Sequence, residues 1–174
     1  MSFIEKEKEM LKKLHSTNFE MFDGDKDEAF EFVESSLSAF PAYANTVIME
    51  QIKLPMIRAR YDGQEYRDAV TQLDRDRHYA HESAITSVNM LNRLCTNLEI
   101  EPFANIDTSD RHAVAELVGQ FVNEVYNQGI GNTFDDAVLN KDRVYDHTAI
   151  KSRIDELSQE LNVSNSEDRS PTIT

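Results

Sequence analysis

The chain has 174 residues, of which 40% are hydrophobic and only 9% aromatic. It carries a net charge of −14, with 32 acidic against 18 basic residues. That length supports one domain with a real core, and that charge repels a phosphate backbone or an anionic membrane surface, so neither nucleic acid nor membrane is expected as a partner. Lys53, Arg58, Arg60 and Arg67 form a local basic patch, but Asp and Glu interleave with it. The single cysteine, Cys95, allows no intramolecular disulfide and fits a reducing cytosol. No apolar run approaches the roughly 18 residues of a membrane span. The N-terminus, Met-Ser-Phe-Ile-Glu-Lys-Glu-Lys, lacks the apolar core of a signal peptide, so a cytoplasmic location is expected.

Apolar residues recur at helical spacing along the chain, and no stretch of five or more residues alternates cleanly. The expectation is an all-α domain of five to seven helices over 1–161, followed by a disordered tail over 162–174. Phe3, Ile4, Met10, Leu11 and Leu14 make the stripe of a first helix over 2–14. Phe19, Met21 and Phe22 anchor the connection after it. A second helix starts near Asp25, with Glu28 placed as in a capping box, and buries Ala29, Phe30, Val33, Leu37 and Phe40. It is expected to stop at Pro41, which opens a third helix bearing Ala44, Val47, Ile48 and Ile52, with a kink or break at Pro55.

Asp62-Gly63 signals a turn. The stretch 64–98 then reads as one uninterrupted helix, free of Gly and Pro, about 50 Å long. Its seam runs through Val70, Leu73, Ala84, Val88, Leu91, Cys95 and Leu98. Cys95 is read there as a small core residue rather than a nucleophile. Pro102 stops this helix near Glu101, and Asp107, Thr108 or Ser109 is expected to cap the next. That helix buries Val114, Leu117, Val118, Phe121 and Val125. Short helical turns are expected over 132–148, and a last amphipathic helix over 149–161, with Ile150, Ile154, Leu157 and Leu161.

Two members of the central seam are polar. Arg77 and His81 interrupt it, and Asp74, His78 and Glu82 lie beside them at spacings of three and four. The plain reading is surface ion pairs with one or two hydrogen-bonded core histidines. The alternatives are a divalent-metal site on Asp74, His78, His81 or Glu82, or an anion held by Arg77 and His81. One helix seldom completes such a site, and His112, Asp146 and His147 are the available partners.

Acidic residues offer two further metal readings. Asp23, Asp25, Asp27, Glu31 and Glu34 fall at positions 1, 3, 5, 9 and 12 of a calcium loop, but Glu28 stands where that loop needs glycine. Glu28-x-x-Glu31 with Glu65-x-x-Asp68 resembles the magnesium signature of all-α nucleoside triphosphate pyrophosphohydrolases. Either cluster reads as plainly as acidic helix surface. There is no glycine-rich phosphate loop, zinc pattern or nucleophile elbow.

The run Glu65-Tyr66-Arg67-Asp68-Ala69-Val70, Leu73-Asp74, Arg77-His78, Ala80-His81, Ile85 and Leu91-Asn92-Arg93-Leu94 resembles a small bacterial family that is itself a domain of unknown function. The resemblance covers about 30 residues, and His78 stands where the family pattern has Arg. It implies a bacterial all-α protein and carries over no activity. It singles out Tyr66, Arg67, Asp74, Arg77, His81, Asn92 and Arg93.

The function expected from these residues is non-enzymatic: a helical interaction or structural module, without a cofactor, that associates with itself or with another protein. A helix of about 50 Å outreaches a compact domain of this size, whose radius of gyration is about 16 Å. The alternative is a divalent-metal-dependent hydrolase or a ligand-binding protein built on Asp74, Arg77, His78, His81 and Glu82.

Overall fold

A computed structural model describes residues 2–126, with Asp155 and Gln159 as isolated further positions. Helix α1 spans Phe3–Ser16, α2 Lys26–Arg60, α3 Gly63–Asn97 and α4 Arg111–Tyr126, with a 3₁₀ turn at Glu20–Phe22. No strand occurs among the described residues. The architecture is all-α, with four helices among the described residues rather than five to seven. The segments expected over 132–148 and beyond 162 lie outside them. Of the expected helix 149–161, Asp155 and Gln159 are described, and both are helical.

Local chemistry sets the helix starts. Ser2 accepts from the backbone N–H of Glu5 at 3.1 Å while the Glu5 carboxylate accepts from the Ser2 N–H at 3.2 Å, a complete capping box. The Asp25 carboxylate accepts from the N–H groups of Asp27 and Glu28, both at 3.1 Å, and starts α2. For α4 the capping carboxylate is Asp110, which accepts from His112 at 3.0 Å, and not one of the three residues before it. Asp107 instead closes the preceding turn by accepting from the N–H and hydroxyl of Ser109. These two bonds hold its carboxyl below the usual range. Gly63 opens α3 at φ +53°, in the left-handed region that favours glycine.

The largest departure from the sequence reading is α2. It runs without a break for 35 residues through Pro41 and Pro55, the same length as α3. Pro41 is buried within a packed stripe of Phe40, Tyr43, Ala44 and Ile48, so burial offsets the hydrogen bond its ring removes. Pro55 is exposed, and so is Gln51, whose carbonyl the proline leaves without an N–H; water can satisfy it there. The long helix is therefore one arm of an antiparallel pair. Glu50 lies against Arg77 and Tyr43 against His81, so one helix descends as the other climbs.

One half of this pair is clothed. Phe40 from α2, Phe121 from α4 and Phe103 from the α3–α4 connection are fully buried together, with ring centroids 5.0 to 6.5 Å apart. Phe3 of α1 adds its edge to Phe121. Each such ring contributes roughly 1.5–3 kcal/mol by leaving water. The Glu124 carboxylate accepts from the N–H groups of Phe3 and Ile4 at 3.1 and 3.0 Å, tying α4 to the start of α1. Asn92 clamps the α3–α4 connection: its amide donates to the Ala104 carbonyl at 2.8 Å, and its side-chain oxygen accepts from the Ala104 N–H at 3.0 Å. Cys95 is buried as expected, and burial pushes its thiol pKa up. The other half is bare. Between Met49 and Gln72 no residue is buried, so the hairpin tip projects beyond α1 and α4.

Two stability predictions follow from these contacts. Asn92→Ala removes both bonds of the clamp and leaves the Ala104 groups unmatched; a loss of about 1–3 kcal/mol is expected in urea unfolding. Pro55→Ala restores a donor inside a continuous helix, so a gain of about 1–3 kcal/mol is expected. A neutral or negative effect of Pro55→Ala would mean that α2 does not run unbroken through residue 55.

Candidate functional site

The register of α2 against α3, with the start of α4 laid across both, creates a cleft of about 480 Å³. Tyr43 enters it from α2, Asp74, Arg77, His78 and His81 from α3, and Arg111 and His112 from α4. Thus two guanidinium groups and three imidazoles line one concavity of a protein whose net charge is −14.

Arg77 is anchored. It donates to the Glu50 carboxylate at 2.7 Å and to Asp74 at 3.1 Å. Its side chain is 48% exposed, so these pairs contribute little to stability, roughly 0–1 kcal/mol each. Their consequence is orientation: Asp74 and Glu50 are already matched to one cation. Arg111 differs. Among the described residues it meets no carboxylate, and its guanidinium approaches His78 Nδ1 at 3.5 Å. It is also the first residue of α4, at the positive end of that helix dipole.

His81 is the innermost member, 5% exposed. Its ring lies 5.8 Å from that of Tyr43. Among the described residues no hydrogen bond reaches its imidazole, so the hydrogen-bonded core histidine expected there is not observed. Burial lowers its pKa below the ordinary imidazole value, and the Arg111 and His78 charges push it the same way against Glu82. Burial raises the Tyr43 hydroxyl pKa, opposed by Arg77 and Arg111.

The structure thus joins four of the five candidates on α3, namely Asp74, Arg77, His78 and His81, and leaves exposed Glu82 outside the cleft lining. It adds His112, one of the three partners named from sequence; Asp146 and His147 lie outside the described residues. Arg111 and Tyr43 were missed. Arg111 adjoins His112, so its place was available to notice; Tyr43 sits in a helix that the sequence reading had split at Pro41.

The acidic candidates do not converge in the same way. Asp25 caps α2, and Asp27 and Glu34 follow it on regular helix, while Asp23 precedes it in a left-handed turn. Glu28 and Glu31 sit near the start of α2, whereas Glu65 and Asp68 sit near the start of its antiparallel partner, roughly 45 Å away along the hairpin. Among the described residues no group of three or more His, Cys, Asp or Glu side chains is arranged to hold a metal ion.

The run of α3 that carries the family resemblance divides between scaffold and cleft. Asn92 is the clamp, Arg67 hydrogen-bonds Gln64 on the exposed tip at 3.0 Å, and Arg93 borders a small apolar pocket with Phe22, Phe32 and Met90. Asp74, Arg77, His78 and His81 reach the cleft.

The depressed pKa of His81 links stability to pH. Above about pH 6.5 both folded and unfolded states leave it neutral. As pH falls below that value the unfolded chain takes the proton first, so folded stability is lost. The drop in melting temperature from about pH 7.5 to about pH 5.5 is expected to be smaller in His81→Leu than in the parent chain. Equal drops would show that His81 does not titrate differently on folding.

The family model described as "Protein of unknown function (DUF3232)" matches residues 1–129, which contain α1 to α4 and the whole cleft. No curated protein and no solved structure matches the chain. Among the described residues no helix is long and apolar enough to cross a membrane.

Proposed function

The chain belongs to this family of proteins of unknown function, and from its geometry we propose that it is a ligand-binding helical protein whose cleft between α2, α3 and α4 takes a small anion. The observation that carries this reading is Arg111, a guanidinium set beside imidazoles with no described carboxylate to neutralise it. Arg77 is matched by Glu50 and Asp74, whereas an anion in the cleft can supply the counter-charge that Arg111 lacks among the described residues. Guanidinium also matches oxyanions with several donors at once. The same charges oppose a divalent cation, so the metal-hydrolase alternative draws less support from this cleft. The reading is one of binding.

Thermal-shift measurement with phosphate, sulfate, carboxylates and divalent metals tests it. An anion in hundredfold excess over its Kd stabilises by about 2.7 kcal/mol, which raises the melting temperature by several degrees. Arg111→Gln is expected to abolish the shift while leaving the unliganded melting temperature near that of the parent. A flat response to every anion overturns the reading.

A second reading, self-association, is favoured by the bare hairpin tip. Ile52, Leu54, Ile57 and Val70 are only half-buried there, and Met56 and Tyr61 are 40% and 44% exposed. A second copy could cover this face, as two hairpins combine into a four-helix bundle. Sedimentation equilibrium at micromolar concentration is expected to give a dimer that Ile57→Asp dissociates. A monomer in the parent chain removes this reading.

A further inference from the structure

We infer that a second site, the apolar pocket where the 3₁₀ turn meets α2 and α3, binds a single-chain alkyl monocarboxylate. It shares no lining residue with the α2–α3–α4 cleft and does not rest on the anion reading.

The sequence sets one wall of this pocket on a single helix face. Met90, Arg93, Leu94 and Asn97 stand three and four apart on α3, so their side chains are neighbours. Phe32 joins them from α2, and Met21 and Phe22 from the turn Glu20–Phe22. Leu94 is 2% exposed and lies deepest. The rings of Phe22 and Phe32 pack with centroids 5.5 Å apart. The pocket measures about 230 Å³. That is below the roughly 300–1,000 Å³ of sites for drug-sized ligands, so one short hydrocarbon chain fits and a two-chain lipid does not.

Two features distinguish this pocket from ordinary surface. Met21 and Met90 are 42% and 39% exposed, although apolar side chains gain by leaving water. Their flexible thioether chains can adapt to a hydrocarbon laid between them. The other feature is the backbone of the turn. Asn18, Phe19 and Asp23 have φ of +54°, +56° and +54°, in the left-handed region that disfavours residues with a Cβ. Such strained residues persist where packing over-determines them, and they cluster at ligand clamps. Phe19 supplies the packing here, buried and edge-on to Phe30 at 5.5 Å. What the strained turn secures is the place of Met21 and Phe22 beside Phe32 and Met90.

Charge selects the head group. Arg93 is exposed and is the one charged residue of the lining; Glu20 and Asp23, on the turn, do not line it. Among the described residues the ion pairs are those of Arg77 with Glu50 and Asp74, and no hydrogen bond engages the Arg93 guanidinium. One unmatched cation calls for one negative charge. A guanidinium takes a carboxylate with two donors at once, and the Asn97 carboxamide, one turn along the same face, offers a further N–H. An apolar pocket with a single cationic edge therefore suits an amphipathic monoanion, whose chain leaves water while its carboxylate stays at the rim.

Isothermal titration calorimetry on the full chain tests this with octanoate, hexanoate and octanol. Octanoate is expected to bind about tenfold tighter than hexanoate, because its longer chain removes more apolar surface from water. It is expected to bind about fivefold or more tighter than octanol, which lacks the charge. Arg93→Gln, an exposed substitution, is expected to bring octanoate down to the affinity of octanol. Met90→Gln, also exposed, is expected to weaken octanoate and octanol alike, by about fivefold or more. Equal affinity for octanoate and octanol in the parent chain overturns the inference, as does no binding of octanoate. An octanoate affinity that neither variant moves puts the ligand elsewhere and overturns the site. A concentration-dependent dimer that Met90→Gln dissociates assigns the pocket to a second copy of the chain and overturns the inference as well.

Discussion

The antiparallel register of α2 against α3 is the constraint on which the rest depends. The two-residue connection Tyr61–Asp62 leaves the two 35-residue helices no freedom to slide far. Once Glu50 meets Arg77, Tyr43 must meet His81, and the buried stripes of both helices face each other toward the bundle end. The fully buried aromatic cluster of Phe40, Phe103 and Phe121 then has a defined floor. The Asn92 clamp on Ala104 directs the chain leaving α3 back across the pair, so that α4 opens beside His78. A core of apolar side chains and one bidentate amide thus place Arg111, which touches neither.

Charge and burial act in opposite directions in this molecule. The chain as a whole is acidic, with a net charge of −14. Yet the concavity at the meeting of three helices gathers two guanidinium groups and three imidazoles beside a single carboxylate, that of Asp74. Burying an imidazole there has a cost, and the lowered pKa of His81, due first to burial and then to the Arg111 charge, is one form that cost takes. Residues that break the local economy of a fold are where function is to be sought. The bare hairpin tip is a departure of another kind: 24 consecutive residues, from Met49 to Gln72, without one buried side chain.

Much of the fold was legible from the sequence because helical periodicity is a local property. The stripes on α1, α3 and α4, the turn at Asp62-Gly63, the burial of Cys95 and the polar interruption of the α3 seam all follow from spacing alone. The Ser2–Glu5 capping box was equally local and was overlooked. The prolines misled because their cost is a property of the isolated helix, about 3 kcal/mol. Packing around Pro41 offsets it, water around Pro55 relieves only part of it, and neither is written in the residues next to them.

What the sequence by itself determined is therefore the class of the fold, the faces of the helices and four cleft residues that share one face of α3: Asp74, Arg77, His78 and His81. Those sit three or four apart, within one helix, where covalent geometry alone brings side chains together. The tertiary structure decided which residues join them. It brought His112 and Arg111 across from more than 30 positions away, set Tyr43 against His81, sent Glu50 to Arg77 and left Glu82 outside. Such meetings depend on helix register and on the path of a loop, and these are settled by packing of the whole core rather than by any local pattern.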